Sequence, residues 1–369
     1  MNAKPRIVVL RGHHHNVAEL RSWELLRDRY DVAVGETGSN RQDVSTLGLE
    51  RARVRARRDL LPGGRLGDLA ALAAGDRYWG LERALEGADI VHSAELGVWF
   101  SGQPARVKAE LGFKLVLTVW ETIPFRDTFR AFRGRADRRA ALAATDVFLA
   151  ATERARSGLL LEGVENERIV VSPPGVDIER FAVRGEAPAG DGHVIVSPGR
   201  LVWEKGHYDV LRALALLDPP ARALLVGSGP EREKLLRYAA ELGLADRVQV
   251  EAVPYDEMPA VFARASCVVL ASLPIRFWEE QFGLVLAEAL ASGAPIVASS
   301  SGAIPEVLAG AAPLFVPGDW PELARLLREG PLTRPPGERV AYDPALVERY
   351  STRAAAERLD AVYRRVLGA

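Results

Sequence analysis

At 369 residues, with 48% hydrophobic and 26% charged residues, the chain is long enough for two ordinary globular domains, each with its own core. A formal net charge of -1 argues against nucleic acid as a partner, and a single cysteine excludes an intramolecular disulfide. No segment approaches the ~20 apolar residues of a membrane span. The run Ile7–Leu10 is too short for a signal peptide, so a cytoplasmic protein is expected, peripheral at most on the inner membrane face.

Short β-rich runs alternate with helical stretches along the whole chain, the pattern of parallel α/β architecture. In the first half the expected strands are Arg6–Leu10, Tyr30–Gly35, Ile90–His92, Lys114–Val119, Val147–Ala150 and Arg168–Val171. Helical patterns between them include Val17–Asp28, Gln103–Leu111 and Arg138–Ala144. The arginine run Arg51, Arg53, Arg55, Arg57 and Arg58 reads as a solvated helix face, or as a loop meeting anionic lipid headgroups or a phosphorylated acceptor. A boundary is expected near Pro173-Pro174-Gly175 and the polar stretch Gly185–Gly192.

A second series of strands then begins: His193–Ser197, Arg222–Val226, Val248–Glu251, Cys267–Ala271, Pro295–Ser299 and Leu314–Val316. Cys267 belongs to an apolar run and reads as a core residue. A final amphipathic helix is expected over Val347–Val366. The economical reading is two doubly wound sheets in tandem, with ligands beyond the carboxyl ends of the strands, in an interdomain cleft.

There is no Walker A sequence, no H-E-x-x-H, no paired C-x-x-C and no G-x-S-x-G elbow. Gly227-Ser228-Gly229-Pro230 lacks the third glycine of a dinucleotide fingerprint and alone reads as a tight strand-to-helix turn. The segment Glu279–Val297 is more informative. Gly283 sits where a loop becomes a helix, so the N–H groups of Phe282 to Leu284 form an anion site suited to a diphosphate. Glu280 stands just before it, placed to accept hydrogen bonds from sugar hydroxyls. Glu288 lies one turn or so into the helix on an apolar face, where vicinal ribose hydroxyls would pair it. In Gly199–Gly206, Arg200 and Lys205 put two cations at a strand's carboxyl end, suited to a departing diphosphate. An ordinary pair of Lys205 with Glu204 or another carboxylate is the alternative.

Together these segments resemble the large retaining glycosyltransferase family numbered four, whose fold is GT-B. The resemblance rests on G-R-L-x-x-x-K-G at Gly199–Gly206 and on Glu280 and Glu288 in E-x7-E spacing. Pro174–Asp177 with Phe181, Gly227–Pro230, Ser292–Pro295 and the closing stretch Tyr350 to Tyr363 support it, so that it covers about Thr152 to Leu367. It implies an α/β GT-B fold: an acceptor-side Rossmann-like domain over residues 1–180, a nucleotide-sugar domain over 193–344, and a helix over 345–369 packing back on the first. It further implies that Arg200 and Lys205 bind the donor diphosphate, that the backbone at Phe282, Gly283 and Leu284 holds phosphate and sugar, and that Glu280 faces the sugar and Glu288 the ribose. Gly12 and Gly229 join the donor-side candidates. Members need no divalent metal and no cofactor, and their retaining chemistry is described as a front-side displacement.

The first half follows the family less closely. Arg11-Gly12-His13-His14-His15 replaces its glycine-rich loop; Gly12 would let backbone approach the donor, and His13 is an acceptor-side candidate or part of a polar loop tip. Adjacent histidine side chains diverge and no acidic or thiol partner has fitting spacing, so no metal is expected. Where many relatives carry a histidine, this chain has Trp120 and Glu121. Glu121 would contact the donor sugar or acceptor hydroxyl, and Trp120 would stack on a sugar ring; the alternative is packing and a surface pair. His92 and Glu95 are further acceptor-side candidates. The expected function is transfer of a hexose from a GDP- or UDP-linked donor to a hydroxyl acceptor: a saccharide, a lipid-linked sugar or a small polar molecule. A catalytically silent nucleotide-binding scaffold and a sugar-nucleotide epimerase are the alternatives.

Overall fold

Strands buried on both faces need apolar residues at every position, and they find them in runs such as Ile7-Val8-Val9 and Cys267-Val268-Val269-Leu270. The computed structural model describes residues 3–40, 42–62, 64–126, 132–182, 192–217 and 221–368. The stretch Gly185–Gly192, expected to mark a boundary, lies outside these residues except for Gly192. The chain divides into two compact units, Met1–Gly175 with Thr352–Ala369, and Val176–Ser351.

The first unit holds β1 (Arg6–Val9), β2 (Asp31–Glu36), β3 (Glu50–Arg53), β4 (Arg55–Ala56), β5 (Tyr78–Trp79), β6 (Ile90–Ala94), β7 (Lys114–Val119), β8 (Val147–Ala150) and β9 (Ile169–Val171). Seven of them form one parallel sheet in the order β3-β2-β1-β6-β7-β8-β9, while β4 and β5 pair antiparallel beside it. Alternate residues feed opposite faces. Ile7, Val9, Ile90 and Val116 join one core with Leu20, Trp23 and Tyr363. Val8, Leu10, Val91 and Leu115 join another with Tyr78, Leu81 and Phe100.

The arginine run is for the most part strand: Arg51 and Arg53 lie on the edge strand β3 and Arg55 on β4, while Arg57 and Arg58 begin a single 3-10 turn, Arg57–Leu60. The alternation explains it. Val54 and Ala56 are buried and Ala52 half-buried, while Arg51, Arg53 and Arg55 stay exposed, which is a period of two with charge guarding a sheet edge.

The second unit carries β10 (Val194–Pro198), β11 (Arg222–Val226), β12 (Val248–Glu251), β13 (Cys267–Leu270), β14 (Ile296–Ser299) and β15 (Leu314–Phe315) in one parallel sheet, ordered β12-β11-β10-β13-β14-β15. Its core runs through Ile195, Leu211, Leu225, Val269, Val297 and Leu323, with Cys267 fully buried among them.

The single closing helix expected over Val347–Val366 is two helices, Pro344–Arg349 and Thr352–Leu367. Tyr350 makes the break: its buried hydroxyl donates to the Val307 carbonyl at 2.9 Å, and its own carbonyl accepts from Val176 N–H at 2.7 Å. The first helix belongs to the second unit, and Thr352–Leu367 belongs to the first. There Tyr363 accepts from Trp23 Nε1 at 2.8 Å, and buried Asp360 accepts from Tyr30 at 2.9 Å and pairs with Arg29 at 2.6 Å. The units therefore divide at 175/176 and 351/352, where the sequence places the edges at 180 and 345.

Candidate functional site

In the second unit three strand-to-helix loops press backbone against backbone at glycines. A Cβ on Gly227 would stand 2.0 Å from the Gly199 carbonyl, and one on Gly229 2.3 Å from that of Leu201. The loops after β10 and β11 therefore touch main chain to main chain, with Leu201 N–H donating to the Ser228 carbonyl at 2.9 Å. Gly206, at φ 68°, would place a Cβ 1.9 Å from the Ala271 carbonyl, so only glycine fits there.

His207 then fixes the Arg200 backbone. Its Nε2–H donates to the Arg200 carbonyl at 3.1 Å, which leaves Nδ1 to accept from the Ser197 hydroxyl at 2.9 Å. Burial pushes this imidazole down to about 4, so it is neutral near pH 7. Sequence reasoning missed it, although a histidine directly after the Lys-Gly pair was a visible signal.

Lys205 and Glu280 are brought together. Lys205 Nζ lies 2.6 Å from Glu280 Oε2, the same oxygen accepts from the Ser272 hydroxyl at 2.6 Å, and the ammonium stands 4.9 Å from the centre of the Trp278 ring. Both charges are largely buried, a costly arrangement unless paired. The backbone of Glu280 is gripped as well: Ala303 N–H donates to its carbonyl at 2.8 Å, and a Cβ on Gly302 would fall 2.1 Å from that oxygen. Arg200 stands apart, 63% exposed and 3.6 Å from Glu204. Lys205 thus pairs with a carboxylate other than Glu204, and Glu204 stands nearer Arg200 instead.

Three residues after Glu280, Gly283 turns left-handed at φ 79° and starts the helix Leu284–Ser292 with no side-chain cap. Leu286 N–H donates to the Gly283 carbonyl at 2.8 Å, so the N–H groups of Leu284 and Val285 are those left for a ligand, beside buried Phe282. Glu288, further along the helix, is 4% exposed. Burial raises its carboxyl to about 7; a hydrogen bond from the Tyr255 hydroxyl and the charge of Arg180 oppose that rise. Arg180 itself is held by Asp256 at 2.8 Å and lies over the Tyr255 ring. Tyr255 and Arg180 were not legible as partners, being dozens of residues from Glu288 in sequence.

In the first unit the loop after β1 is held by side chains. Gly12, at φ 60°, donates its N–H to the Tyr78 hydroxyl at 2.9 Å, and a Cβ there would meet Phe100 at 2.7 Å. Its missing side chain thus admits Phe100, and its N–H is already taken. His13 is no free loop tip: Nδ1 bonds Ser39 at 2.8 Å and Thr37 at 3.0 Å, and Nε2 pairs closely with Asp76. His15 is buried and bonds the Gly35 carbonyl at 3.0 Å, its pKa pushed down to about 3 by burial.

His92, expected as an acceptor contact, is wholly buried between the Tyr363 hydroxyl at 2.5 Å and the Thr118 hydroxyl at 2.8 Å. That is a correction: a ring with both nitrogens engaged in the core has nothing to offer a solvent-borne acceptor. Glu95 holds a left-handed backbone, φ 62°, and accepts from Trp120 N–H at 2.9 Å and from Glu121 N–H. It therefore pins the turn after β7, and burial raises its carboxyl to about 7. Glu121 accepts from Ile123 N–H at 3.1 Å and pairs closely with Arg126, both side chains largely buried, while Trp120 lines a pocket. Among the described residues no three His, Cys, Asp or Glu side chains could hold a metal ion, and no helix is long and apolar enough to cross a membrane.

Comparison with known proteins matches both halves. Residues 12–180 fit the family model described as Glycosyltransferase Family 4, and residues 180–330 that of Glycosyl transferases group 1. A GDP-mannose-dependent alpha-(1-6)-phosphatidylinositol monomannoside mannosyltransferase of Mycolicibacterium smegmatis is 38% identical over 37% of this chain and 39% of its own length. D-inositol 3-phosphate glycosyltransferase 1 of Catenulispora acidiphila is 31% identical over 68% of this chain and 66% of its own. The chain thus spans from about two-fifths to two-thirds of the length of such curated relatives. The crystal structure of HepE from Anabaena in complex with UDP superposes with a TM-score of 0.75 at 19% identity, covering 98% of this chain and 100% of that one, so the fold is GT-B with two Rossmann-like domains. With adjoining family models running from residue 12 to residue 330, the chain belongs to glycosyltransferase family 4.

Proposed function

We propose that this protein transfers a hexose from a nucleotide-diphosphate sugar to a hydroxyl acceptor with retention of configuration and without a metal ion. The observation that carries the reading is the buried Lys205–Glu280 pair beside the uncapped helix start at Gly283. A departing diphosphate needs positive charge, and two sources stand there: the Lys205 ammonium and the N–H groups of Leu284 and Val285. Arg200, exposed on the same loop, is free to swing to the phosphates as a third. Once Lys205 turns to phosphate, Glu280 is released to accept hydrogen bonds from the sugar's hydroxyls. Glu288, kept near neutrality by burial, accepts from the ribose.

The chemical step breaks the bond between the anomeric carbon and the phosphate oxygen and forms the bond to the acceptor oxygen on the same face. The acceptor's proton passes to the leaving phosphate, so no enzyme nucleophile is consumed. Glu121, at the end of β7, is the side chain assigned to the reacting sugar or acceptor hydroxyl, released from Arg126 in the complex. The related mannosyltransferase is named for GDP-mannose and the superposed HepE structure contains UDP, so both bases belong in the test. Nucleoside diphosphate release from GDP-mannose and UDP-glucose is measured in EDTA, with and without candidate polyol acceptors. Release that persists in EDTA and rises with an acceptor is expected. Binding without release would favour the silent scaffold, and release only with added metal would remove the metal-free step.

A further inference from the structure

On the glycosyl-transfer reading, on which this inference rests, the Lys205–Glu280 pair must part when a diphosphate arrives. Both side chains are largely buried, and a buried pair resists separation because each ion is left uncompensated. Here each ion has a second, uncharged partner. On the anion's side, the fully buried Ser272 hydroxyl donates to Glu280 Oε2 at 2.6 Å, the same oxygen that holds Lys205. On the cation's side, the Lys205 ammonium stands over the Trp278 ring, 4.9 Å from its centre. An ammonium within about 6 Å of an indole centre is drawn to the electron-rich face, more strongly where water is excluded. That attraction is spread over the ring, so it tolerates a shift of the ammonium that would break a hydrogen bond.

Both partners are fixed by their own backbone. Ile275 N–H donates to the Trp278 carbonyl at 2.8 Å, and Trp278 N–H to the Ile275 carbonyl at 3.1 Å, closing a tight turn. Arg276 and Phe277 are exposed at its tip, while the indole is half-buried against Lys205. Leu273 N–H donates to the Glu204 carbonyl at 2.8 Å, tying this loop to the one that carries Lys205. The Ser272 carbonyl accepts from the Ser299 hydroxyl at 2.6 Å.

We infer that Trp278 and Ser272 are positioning residues that let the Lys205–Glu280 pair open for the donor. Trp278 holds the ammonium as it turns to phosphate, and Ser272 holds the carboxylate until the sugar's hydroxyls reach it. Both act through the charged pair.

The test is titration calorimetry of the whole chain with GDP and with UDP, in EDTA, arranged as a double-mutant cycle. Trp278→Leu, which keeps apolar bulk without a π face, is expected to weaken binding about tenfold. Trp278→Phe, with a smaller π face, is expected to lose only about threefold. On a Lys205→Ala background Trp278→Leu should cost nothing further, a non-additivity that simple packing would not produce. Should Trp278→Leu lose its cooperative thermal transition, Ser272→Ala carries the test, with a several-fold loss that vanishes on a Glu280→Gln background. Unchanged binding in the folded variants, equal losses for Leu and Phe, or the same loss with Lys205 already removed overturns the inference. Lys205→Ala alone separates this failure from that of the donor site. If it weakens nucleotide binding and Trp278→Leu does not, only the positioning role falls. If Lys205→Ala binds like the wild type, or neither nucleotide binds the wild type, the donor reading falls and the positioning role with it.

Discussion

The two units solve the same problem in different materials. In the second, the loops at the strand ends are main chain packed on main chain: Gly206 against the Ala271 carbonyl, Gly227 against that of Gly199, Gly302 against that of Glu280. In the first, the equivalent loops are held by side chains: His13 with Asp76 and Ser39, Gly12 with Tyr78, Glu95 with the turn at Trp120. A site made of backbone tolerates no added atom, whereas one made of side chains can be rebuilt residue by residue. Such a division suits a constant nucleotide on one side and a variable acceptor on the other.

The sharpest way to break this comparison is at Lys205. If it neutralises the departing diphosphate, Lys205→Ala should lower turnover about a hundredfold to a thousandfold, read by nucleoside diphosphate release, with circular dichroism unchanged. Wild-type rates would remove the diphosphate role and leave Lys205 only as the partner of Glu280. Next in size is Gly206→Ala. With φ at 68° and a carbonyl 1.9 Å from the new Cβ, it should cost several kcal/mol in chemical denaturation. Asp76→Asn, in the side-chain-built loop, should cost only about 1–3 kcal/mol, the penalty of an imperfectly matched His13. Equal costs for the two would erase the distinction between the units.

A further effect is shared by the two units. Glu95 and Glu288, one in each unit, have carboxyls raised from 4.5 to about 7 by burial. Between those values the folded protein keeps protons that the unfolded chain has released, so their contribution to stability is full below about pH 4.5 and lost as pH rises through about 7. Thermal midpoints of Glu95→Gln and Glu288→Gln should each fall less steeply across that window than the wild type's. Parallel curves for all three proteins would show that neither carboxyl titrates there.

The same contrast explains what could be read from the amino-acid order. Parallel α/β architecture follows from apolar runs such as Val147–Ala150 and from the glycines that end the strands, all local features. The cluster of Lys205, Glu280 and Gly283 was legible because glycine-bounded loops announce backbone geometry over a few residues. The His13–Asp76 pair and Glu288 with Tyr255 join residues far apart in the chain, and nothing in local spacing announces them. His92 misled for the same reason: it follows two strand residues like a site residue, but Tyr363, 271 positions away, fills the space beside it. The arginine run hid a strand because charge drew attention from its period of two.

The most direct test of the central claim is thermal denaturation of the wild-type protein with GDP and with UDP, EDTA present throughout. One nucleotide at saturation should raise the midpoint by several degrees, and that rise should shrink in Glu288→Ala and in Lys205→Ala. A midpoint unmoved by either nucleotide would contradict a preformed, metal-free donor site in the second unit.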